Sequence, residues 1–254
     1  MTTTTTDGQT AAINGMQMYF EIHGEGEPLL LLHGFTGAGS NWQAFVSGLS
    51  REYQLIIPDL RGHGRSTNPS SEFTFRQSAL DIFALLDHLA IEKSKAIGAS
   101  AGGKTLLHMA TQQPPRVEAM VLASAAPYYP EQARAIMRQM TVESHGDAEW
   151  QLMRQWHHYG DEQIRMLWAQ GHAFKDSYDD MNFTPPYLAT ITARTLIVHG
   201  DRDPIYPVRL ALEMYGAIPR SYLWVIPNGE HGTIFTMAER FNETALAFLR
   251  GDWK

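Results

Sequence analysis

Short apolar runs alternate with amphipathic stretches along most of the chain. The runs at 29–32, 195–198 and 222–226 have the length and the apolar content of strands. Between residues 75 and 90, apolar side chains recur at spacings of three and four, as in a helix that covers a sheet, and the last helical stretch repeats this spacing. Strands that alternate with such helices build a parallel sheet covered on both faces, so the pattern predicts an α/β fold.

The alternation stops in one segment, from Pro127 to about Ala189. This segment lacks strand-like runs, contains several helical stretches and has prolines near both ends. We therefore predict a core formed by residues 1–126 and 190–254, and an inserted helical cap formed by residues 127–189. Aromatic and methionine side chains are concentrated in the cap segment. Most should pack the cap onto the core, and some should face a cleft at the carboxyl end of the sheet.

A serine in a glycine-flanked turn is the main candidate for chemistry. The sequence GASAG at 98–102 follows a strand-like run and precedes a helix-like one, with Ser100 at its centre. Glycines suit such a turn because side chains there would collide, and the N-terminus of the helix offers unpaired N–H groups to an oxyanion. Ser100 is therefore the predicted nucleophile.

A serine hydroxyl needs a base and a carboxylate that orients the base, and later loops supply both. The run at 195–198 leads to Asp203, and the run at 222–226 leads to His231, which completes the chain order Ser, Asp, His. Asp201 is the competing acid, but the spacing from Gly200 favours Asp203. These residues predict a catalytic triad.

The first apolar run points to the site that would stabilise the oxyanion. It ends in the sequence HGF at 33–35, and His33 is expected to bond nearby backbone. We predict that the backbone N–H groups of Phe35 and Ala101 form the oxyanion hole.

In these features the chain resembles the α/β-hydrolase superfamily, from about residue 16 to residue 249. The sequence DLRGHGRS at 59–66 is similar to the family's loop after an early strand, and Gly200 with Asp203 and Pro207 is similar to its acid loop. The resemblance implies an eight-stranded, mostly parallel sheet and a helical cap after the strand that follows the nucleophile helix. It also implies acyl transfer to water through Ser100, without a cofactor or a metal.

The residue types in the motif narrow the expected reaction. Because the nucleophile is serine, the dehalogenase and epoxide-opening reactions of the superfamily, which use aspartate, are disfavoured. The expected substrate is a small to medium, uncharged carboxylic ester, with Thr36, Tyr128 and Ile205 as substrate contacts and water as the second reactant. Hydrolysis of a carbon–carbon bond or of a lactone on the same fold is the alternative, although the family's asparagine before the serine is missing.

A second motif overlaps the serine turn. Residues 98–105 also match G-x-x-x-x-G-K-[ST], in which Lys104, Thr105 and backbone N–H groups would hold a nucleotide and magnesium. A nucleotide-binding protein would not need Asp203, His231 or the sequence HGF, so we favour the hydrolase. In the hydrolase, Lys104 is expected to lean towards solvent, because a cation near a helix N-terminus is mildly unfavourable.

Composition excludes several other classes of protein. The net charge is −7 and no basic cluster is present, which argues against a nucleic-acid partner. The chain has no cysteine, so disulfides and thiolate catalysis are excluded. Residues 1–7 resemble a loose tail rather than a signal peptide, and no apolar run is long enough to span a membrane, so a cytoplasmic protein without a membrane partner is expected. His157 and His158 are adjacent and are predicted to form a surface pair rather than a metal site.

Overall fold

Eight strands form one sheet within residues 8–253, the part of the chain that the computed structural model describes; the predicted tail at 1–7 lies outside it. The strands are β1 (Gln9–Ile13), β2 (Met16–His23), β3 (Glu27–Leu32), β4 (Tyr53–Pro58), β5 (Ser94–Ala99), β6 (Val117–Ala123), β7 (Arg194–Gly200) and β8 (Ser221–Ile226). Their order across the sheet is β1-β2-β4-β3-β5-β6-β7-β8. The predicted fold class is confirmed.

The sheet is mostly parallel. The pairs β1 with β2 and β2 with β4 are antiparallel, and every other neighbouring pair is parallel. Because the carboxyl ends of parallel strands meet at one edge of a sheet, the loops that leave β3, β5, β7 and β8 emerge together. These loops carry Phe35, Ser100, Asp203 and His231.

Helices cover both faces of the sheet. In chain order the helices are α1 (Gln43–Leu49), α2 (Phe75–His88), α3 (Ala101–Gln112), α4 (Glu131–Gln139), α5 (Asp147–Trp156), α6 (Gly160–Ala173), α7 (Pro185–Leu188), α8 (Arg209–Ala217) and α9 (Ala238–Arg250), of which α4 to α7 lie between β6 and β7. The helix predicted at 75–90 ends two residues early, at His88. Its first turn is capped by Thr74, whose side chain accepts a hydrogen bond from the backbone N–H of Gln77.

The leucine run in β3 shows why the strands are apolar throughout. Leu30 and Leu32 pack into the cluster that contains α2 and α3, whereas Leu29 and Leu31 pack on the opposite face with α1 and α9. All four leucines have no exposed surface. A strand covered on both faces has no solvent side, so it shows an apolar run and no alternation.

The chain between β6 and β7 contains α4 to α7 and, among the described residues, contributes no strand to the sheet. We call residues 127–189 the insertion. The insertion contains a small hydrophobic cluster that is separate from the core, formed by Met153, Ile164, Leu167 and Trp168. Other apolar side chains of the insertion, Phe174, Met181 and Phe183 among them, join the core cluster on one face of the sheet.

No helix in the described part of the chain combines the length and the apolar character that crossing a membrane requires.

Candidate active site

Ser100 lies between β5 and α3 with an unusual backbone conformation, φ 48° and ψ −105°. The backbone has no room for side chains on either side of it. A Cβ on Gly98 would lie 2.5 Å from the carbonyl carbon of Gly102, and a Cβ on Gly102 would lie 2.1 Å from the carbonyl oxygen of Leu32. The two flanking glycines therefore let the strand turn sharply into the helix and expose the serine hydroxyl.

The three residues of the predicted triad lie within hydrogen-bond distance of one another. The Nε2 atom of His231 is 3.0 Å from the Oγ atom of Ser100. The Nδ1 atom of His231 is 2.8 Å from the Oδ2 atom of Asp203. Because Nδ1 keeps its proton and donates a hydrogen bond to the carboxylate, Nε2 is left free to accept the proton of the serine hydroxyl.

Asp203 is held in its ionised form by several donors. Its Oδ1 atom accepts hydrogen bonds from the backbone N–H groups of Ile205 and Tyr206, at 2.8 and 2.9 Å. Burial by itself raises the pKa of Asp203, but the hydrogen bond and the charge of His231, together with these two N–H groups, hold it below its usual value. Asp201, the competing acid, is exposed and lies outside this arrangement.

The turn after β3 aims the predicted oxyanion donor. The carbonyl oxygen of Gly34 accepts hydrogen bonds from Nδ1 of His33 at 2.7 Å and from the N–H of Gly37 at 3.1 Å. The peptide that joins Gly34 to Phe35 is trans, so the N–H of Phe35 points away from that anchored oxygen. Nε2 of His33 accepts from the N–H of Leu60 at 3.0 Å, and burial lowers the pKa of His33 to about 4, so its ring is neutral.

Ala101 is the first residue of α3. The first N–H groups of a helix have no carbonyl one turn earlier to bond, so the N–H of Ala101 is available beside the serine. The positive end of the helix dipole adds to its effect on an oxyanion.

A cleft of about 500 Å³ opens at Ser100 and His231. Phe35, the predicted oxyanion donor, and Thr36, one of the predicted substrate contacts, line it. The structure does not bring Tyr128 to this cleft, because its hydroxyl donates to the carboxylate of Glu213 at 2.9 Å and it lines a separate small pocket. Ile205 packs against the core cluster instead, and its backbone serves Asp203.

Lys104 does not lean towards solvent, so that prediction is wrong. It is 4% exposed, its Nζ atom donates to the hydroxyl of Tyr206, and the rings of Phe75, Tyr129 and Tyr206 lie 4.5 to 5.1 Å from Nζ. Burial lowers the pKa of Lys104 to about 7, against the opposing charges of Asp180 and Asp203. An amine enclosed in this way cannot hold a nucleotide phosphate, so the geometry gives no support to the nucleotide-binding alternative.

Sequence reasoning missed two residues near the site. Trp156 lines the cleft from the end of α5. His157, predicted as half of a surface pair, is 3% exposed, while His158 is exposed as expected. The sequence marks Trp156 only as one of many aromatic residues of the cap segment and His157 only as one of two adjacent histidines, because the contacts that matter join residues far apart in the chain.

Among the side chains of residues 8–253, no group of three or more histidines and carboxylates is placed to hold a metal ion.

Comparison with known proteins agrees with the fold. The sequence profile of the alpha/beta hydrolase fold matches residues 27–163, which is more than half of the chain, and the chain therefore belongs to the α/β hydrolase family. Serine hydrolase BPHL of Homo sapiens is 28% identical, over 94% of this chain and 85% of its own length.

Two solved structures share the fold. The meta-cleavage product hydrolase of Pseudomonas fluorescens IP01 superposes with a TM-score of 0.80 at 23% identity, over 97% of this chain and 98% of its own. A thermophilic esterase from Thermogutta terrifontis superposes with a TM-score of 0.78 at 23% identity, over 96% of this chain and 98% of its own.

Proposed function

We propose that this α/β hydrolase is a serine carboxylesterase that cleaves small to medium, uncharged esters through an acyl-enzyme. The observation that carries the proposal is the chain of two hydrogen bonds from Ser100 through His231 to Asp203, of 3.0 and 2.8 Å. A hydroxyl, a base and an orienting carboxylate in this order form the arrangement that activates serine for attack on a carbonyl.

The mechanism has two steps with the same proton carrier. His231 takes the proton of Ser100 as Oγ attacks the ester carbonyl, and the tetrahedral oxyanion accepts hydrogen bonds from the N–H groups of Phe35 and Ala101. His231 then gives the proton to the leaving alcohol, and an acyl-enzyme forms. In the second step water attacks the acyl carbonyl, His231 accepts the proton of that water and returns it to Oγ, and the acid is released.

The lining of the cleft supports an uncharged substrate. Of the described residues that line it, none is a lysine, arginine, aspartate or glutamate; the side chains are mostly small or apolar, as at Ala44, Ile234 and Phe235. A substrate carboxylate would leave water without a cationic partner here, and burying an unpaired charge is costly. One relative, the 2-hydroxy-6-oxo-6-(2'-aminophenyl)hexa-2,4-dienoic acid hydrolase of Metapseudomonas resinovorans, is named for a carboxylic acid substrate, so this lining favours an ester over that reaction.

We further propose that the insertion, residues 127–189, acts as the cap of this cleft, with the remainder of the chain as the catalytic core. The position of Trp156 in the lining supports this role, because its side chain comes from the insertion while Ser100 comes from the core.

The direct test compares substrates and a nucleophile variant. Activated esters of graded acyl length are assayed beside a lactone and a vinylogous diketone, and we expect the esters to have the highest kcat/KM. Ser100→Ala should lower ester hydrolysis by about 10⁴-fold or more, since triad members act as a unit. A fluorophosphonate should label Ser100 in the parent enzyme. If Ser100→Ala keeps most of the ester hydrolysis, the mechanism is refuted. If the parent enzyme has a higher kcat/KM on the diketone or the lactone than on the esters, that compound class, and not the ester, is the substrate.

A further inference from the structure

A buried side chain of the insertion, His157, forms a hydrogen bond with the turn after β3. His157 follows the last residue of α5, and its two ring nitrogens contact two different loops of the core. Its Nε2 atom is 3.0 Å from the carbonyl oxygen of Thr36, and its Nδ1 atom is 2.9 Å from the backbone N of Gly64.

These contacts fix which nitrogen carries the proton. The backbone N–H of Gly64 can only donate, so Nδ1 of His157 must be the acceptor. The neutral ring therefore carries its proton on Nε2 and donates it to the carbonyl oxygen of Thr36. Burial lowers the pKa of His157 to about 4, in keeping with a neutral ring.

The residue that receives this hydrogen bond has a strained backbone. Thr36 has φ 63°, a region that non-glycine residues enter at a cost of about 1 kcal/mol or more. It occupies the third position of the turn that the Gly37 N–H closes onto the Gly34 oxygen, where type II turns have their positive φ and prefer glycine. The second position of the same turn is Phe35, whose N–H is the proposed oxyanion donor.

The loop on the other side of His157 is firmly held, so the histidine has a fixed support. The carbonyl oxygen of Gly64 accepts hydrogen bonds from the N–H of His158 and from Nε2 of Gln163, both at 3.1 Å. Gln163 also donates to the carbonyl oxygen of Gly62 at 3.0 Å. His157 is thus clamped at Nδ1 and can hold Thr36 through Nε2.

We propose that His157 is a positioning residue for the oxyanion hole: by holding the carbonyl oxygen of Thr36, it fixes the turn that aims the N–H of Phe35 at the reacting carbonyl. The inference rests on the proposed serine hydrolase mechanism. The inference gives the insertion a second role beside lining the cleft. Trp156, the last residue of α5, lines the cleft, and His157, the next residue, positions the oxyanion donor. Substrate contact with the insertion and stabilisation of the transition state are thereby coupled.

Two substitutions separate the two hydrogen bonds. The amide of His157→Gln reaches the position of Nε2 and can still donate to Thr36, but it loses the acceptor for Gly64. The amide oxygen of His157→Asn lies near Nδ1 and can still accept from Gly64, but it loses the donor to Thr36. We expect His157→Asn to lower kcat about tenfold with little change in KM, and His157→Gln to keep kcat within about threefold of the parent.

A tetrahedral probe separates positioning from a general loss of structure. An alkyl boronic acid adds to the Oγ of Ser100 and places a boronate oxygen in the oxyanion hole, so its inhibition constant should rise in His157→Asn by the same factor as kcat falls. Adding Thr36→Gly to His157→Asn should restore part of kcat, because glycine adopts a positive φ without support. His158→Asn, at the exposed neighbouring position, is the matched control and should behave as the parent.

The outcomes decide between this inference and the proposed function. If Ser100→Ala remains active, the serine mechanism itself fails. If Ser100 is essential but His157→Asn matches His158→Asn in kcat and boronate affinity, or if the Gln and Asn variants lose kcat equally, His157 has no positioning role. If His157→Asn does not fold, His157→Gln alone decides. A tenfold loss of kcat in His157→Gln would then overturn the inference.

Discussion

Asp201 and Asp203 are two carboxylates on one loop, and the structure gives them different environments. Asp203 is 6% exposed and accepts hydrogen bonds from two backbone N–H groups and from His231. Asp201 is exposed, and its backbone N–H bonds to the carbonyl oxygen of Ile226. Neighbouring positions in a sequence thus differ in chemistry because the loop turns one of them inward.

Asp203→Asn should lower kcat by about 10⁴-fold with the fold intact, because an amide at this position favours the wrong tautomer of His231. Asp201→Asn, the matched control, should keep kcat near that of the parent. Steady-state kinetics on one activated ester, with circular dichroism of both variants, makes the comparison. A large loss in Asp201→Asn and a small one in Asp203→Asn would exchange their roles.

Lys104 is the second residue whose environment makes a specific prediction. The native pKa of its amine is lowered to about 7, whereas the unfolded chain binds that proton up to about 10.5. Between these values the unfolded state holds more protons, so this group makes the free energy of unfolding rise with pH. The burial of the ammonium therefore costs most at and below pH 7.

Lys104→Met should raise the free energy of unfolding, by about 1–3 kcal/mol at pH 6 and by less at pH 10, since methionine keeps the apolar stem and removes the buried charge. Urea unfolding at the two pH values gives the measurement. Arg209→Met, at a position outside this enclosure, serves as the control. Equal effects of Lys104→Met at both pH values would show that the amine does not titrate in this range.

At the scale of elements, the junction of β5 and α3 requires glycine for steric reasons. A Cβ on Gly98 would meet the backbone of Gly102 and Gly103 at 2.5 Å, and backbone atoms cannot move aside as a flexible side chain can. Gly216, within α8, offers the opposite case, because a Cβ added there would have no atom of the other described residues within 4 Å.

Gly98→Ala should destabilise the protein by about 1–3 kcal/mol and lower kcat, because the added methyl group pushes the first turn of α3 away from the strand. Gly216→Ala should instead stabilise it by about 0.5–1 kcal/mol, as expected for alanine in a helix. Thermal unfolding and ester hydrolysis of both variants test this contrast. A Gly98→Ala protein as stable and active as the parent would mean that the turn has room the structure does not show.

The elements also show what a sequence can and cannot predict here. The apolar runs located β3, β7 and β8, and the spacing of Phe75, Ile82 and Leu86 located α2, because local patterns record which face is buried. The serine turn and the loops after β7 and β8 followed from motifs that are local too. The contact of His157 with Thr36 spans 121 positions, and it depends on how α5 lies over the core, which no local pattern records. The same reason explains why Tyr128, close to β6 in sequence, turns towards α8.

At the scale of the whole molecule, buried neutral histidines collect beside the candidate site. The rings of His33, His63 and His157 lie in a row, with centroids 5.2 and 6.1 Å apart, and none exceeds 3% exposure. Burial lowers the pKa of His33 and of His157 to about 4, and burial together with the neighbouring rings lowers that of His63 well below its usual value. The three rings come from the turn after β3, the loop after β4 and the insertion. Protonation of these rings would therefore change hydrogen bonds in all three segments.

These histidines predict how stability depends on pH. Between about pH 6.5 and 4 the unfolded chain binds protons that the native protein does not, so the free energy of unfolding falls as the pH falls through this window. Each such histidine contributes about 1.4 kcal/mol per pH unit to the slope of the free energy of unfolding, and three together approach about 4 kcal/mol per pH unit.

Urea unfolding of the parent at intervals from pH 7 to pH 4.5 should show this steep slope. His63→Phe, which keeps an aromatic ring next to those of Phe35 and Phe73, should reduce the slope by about one proton, whereas His88→Gln on the exposed end of α2 should leave it unchanged. A flat profile for the parent over this range would mean that the histidines are protonated in the native state, and the neutral ring that holds Thr36 in place would then be lost as well.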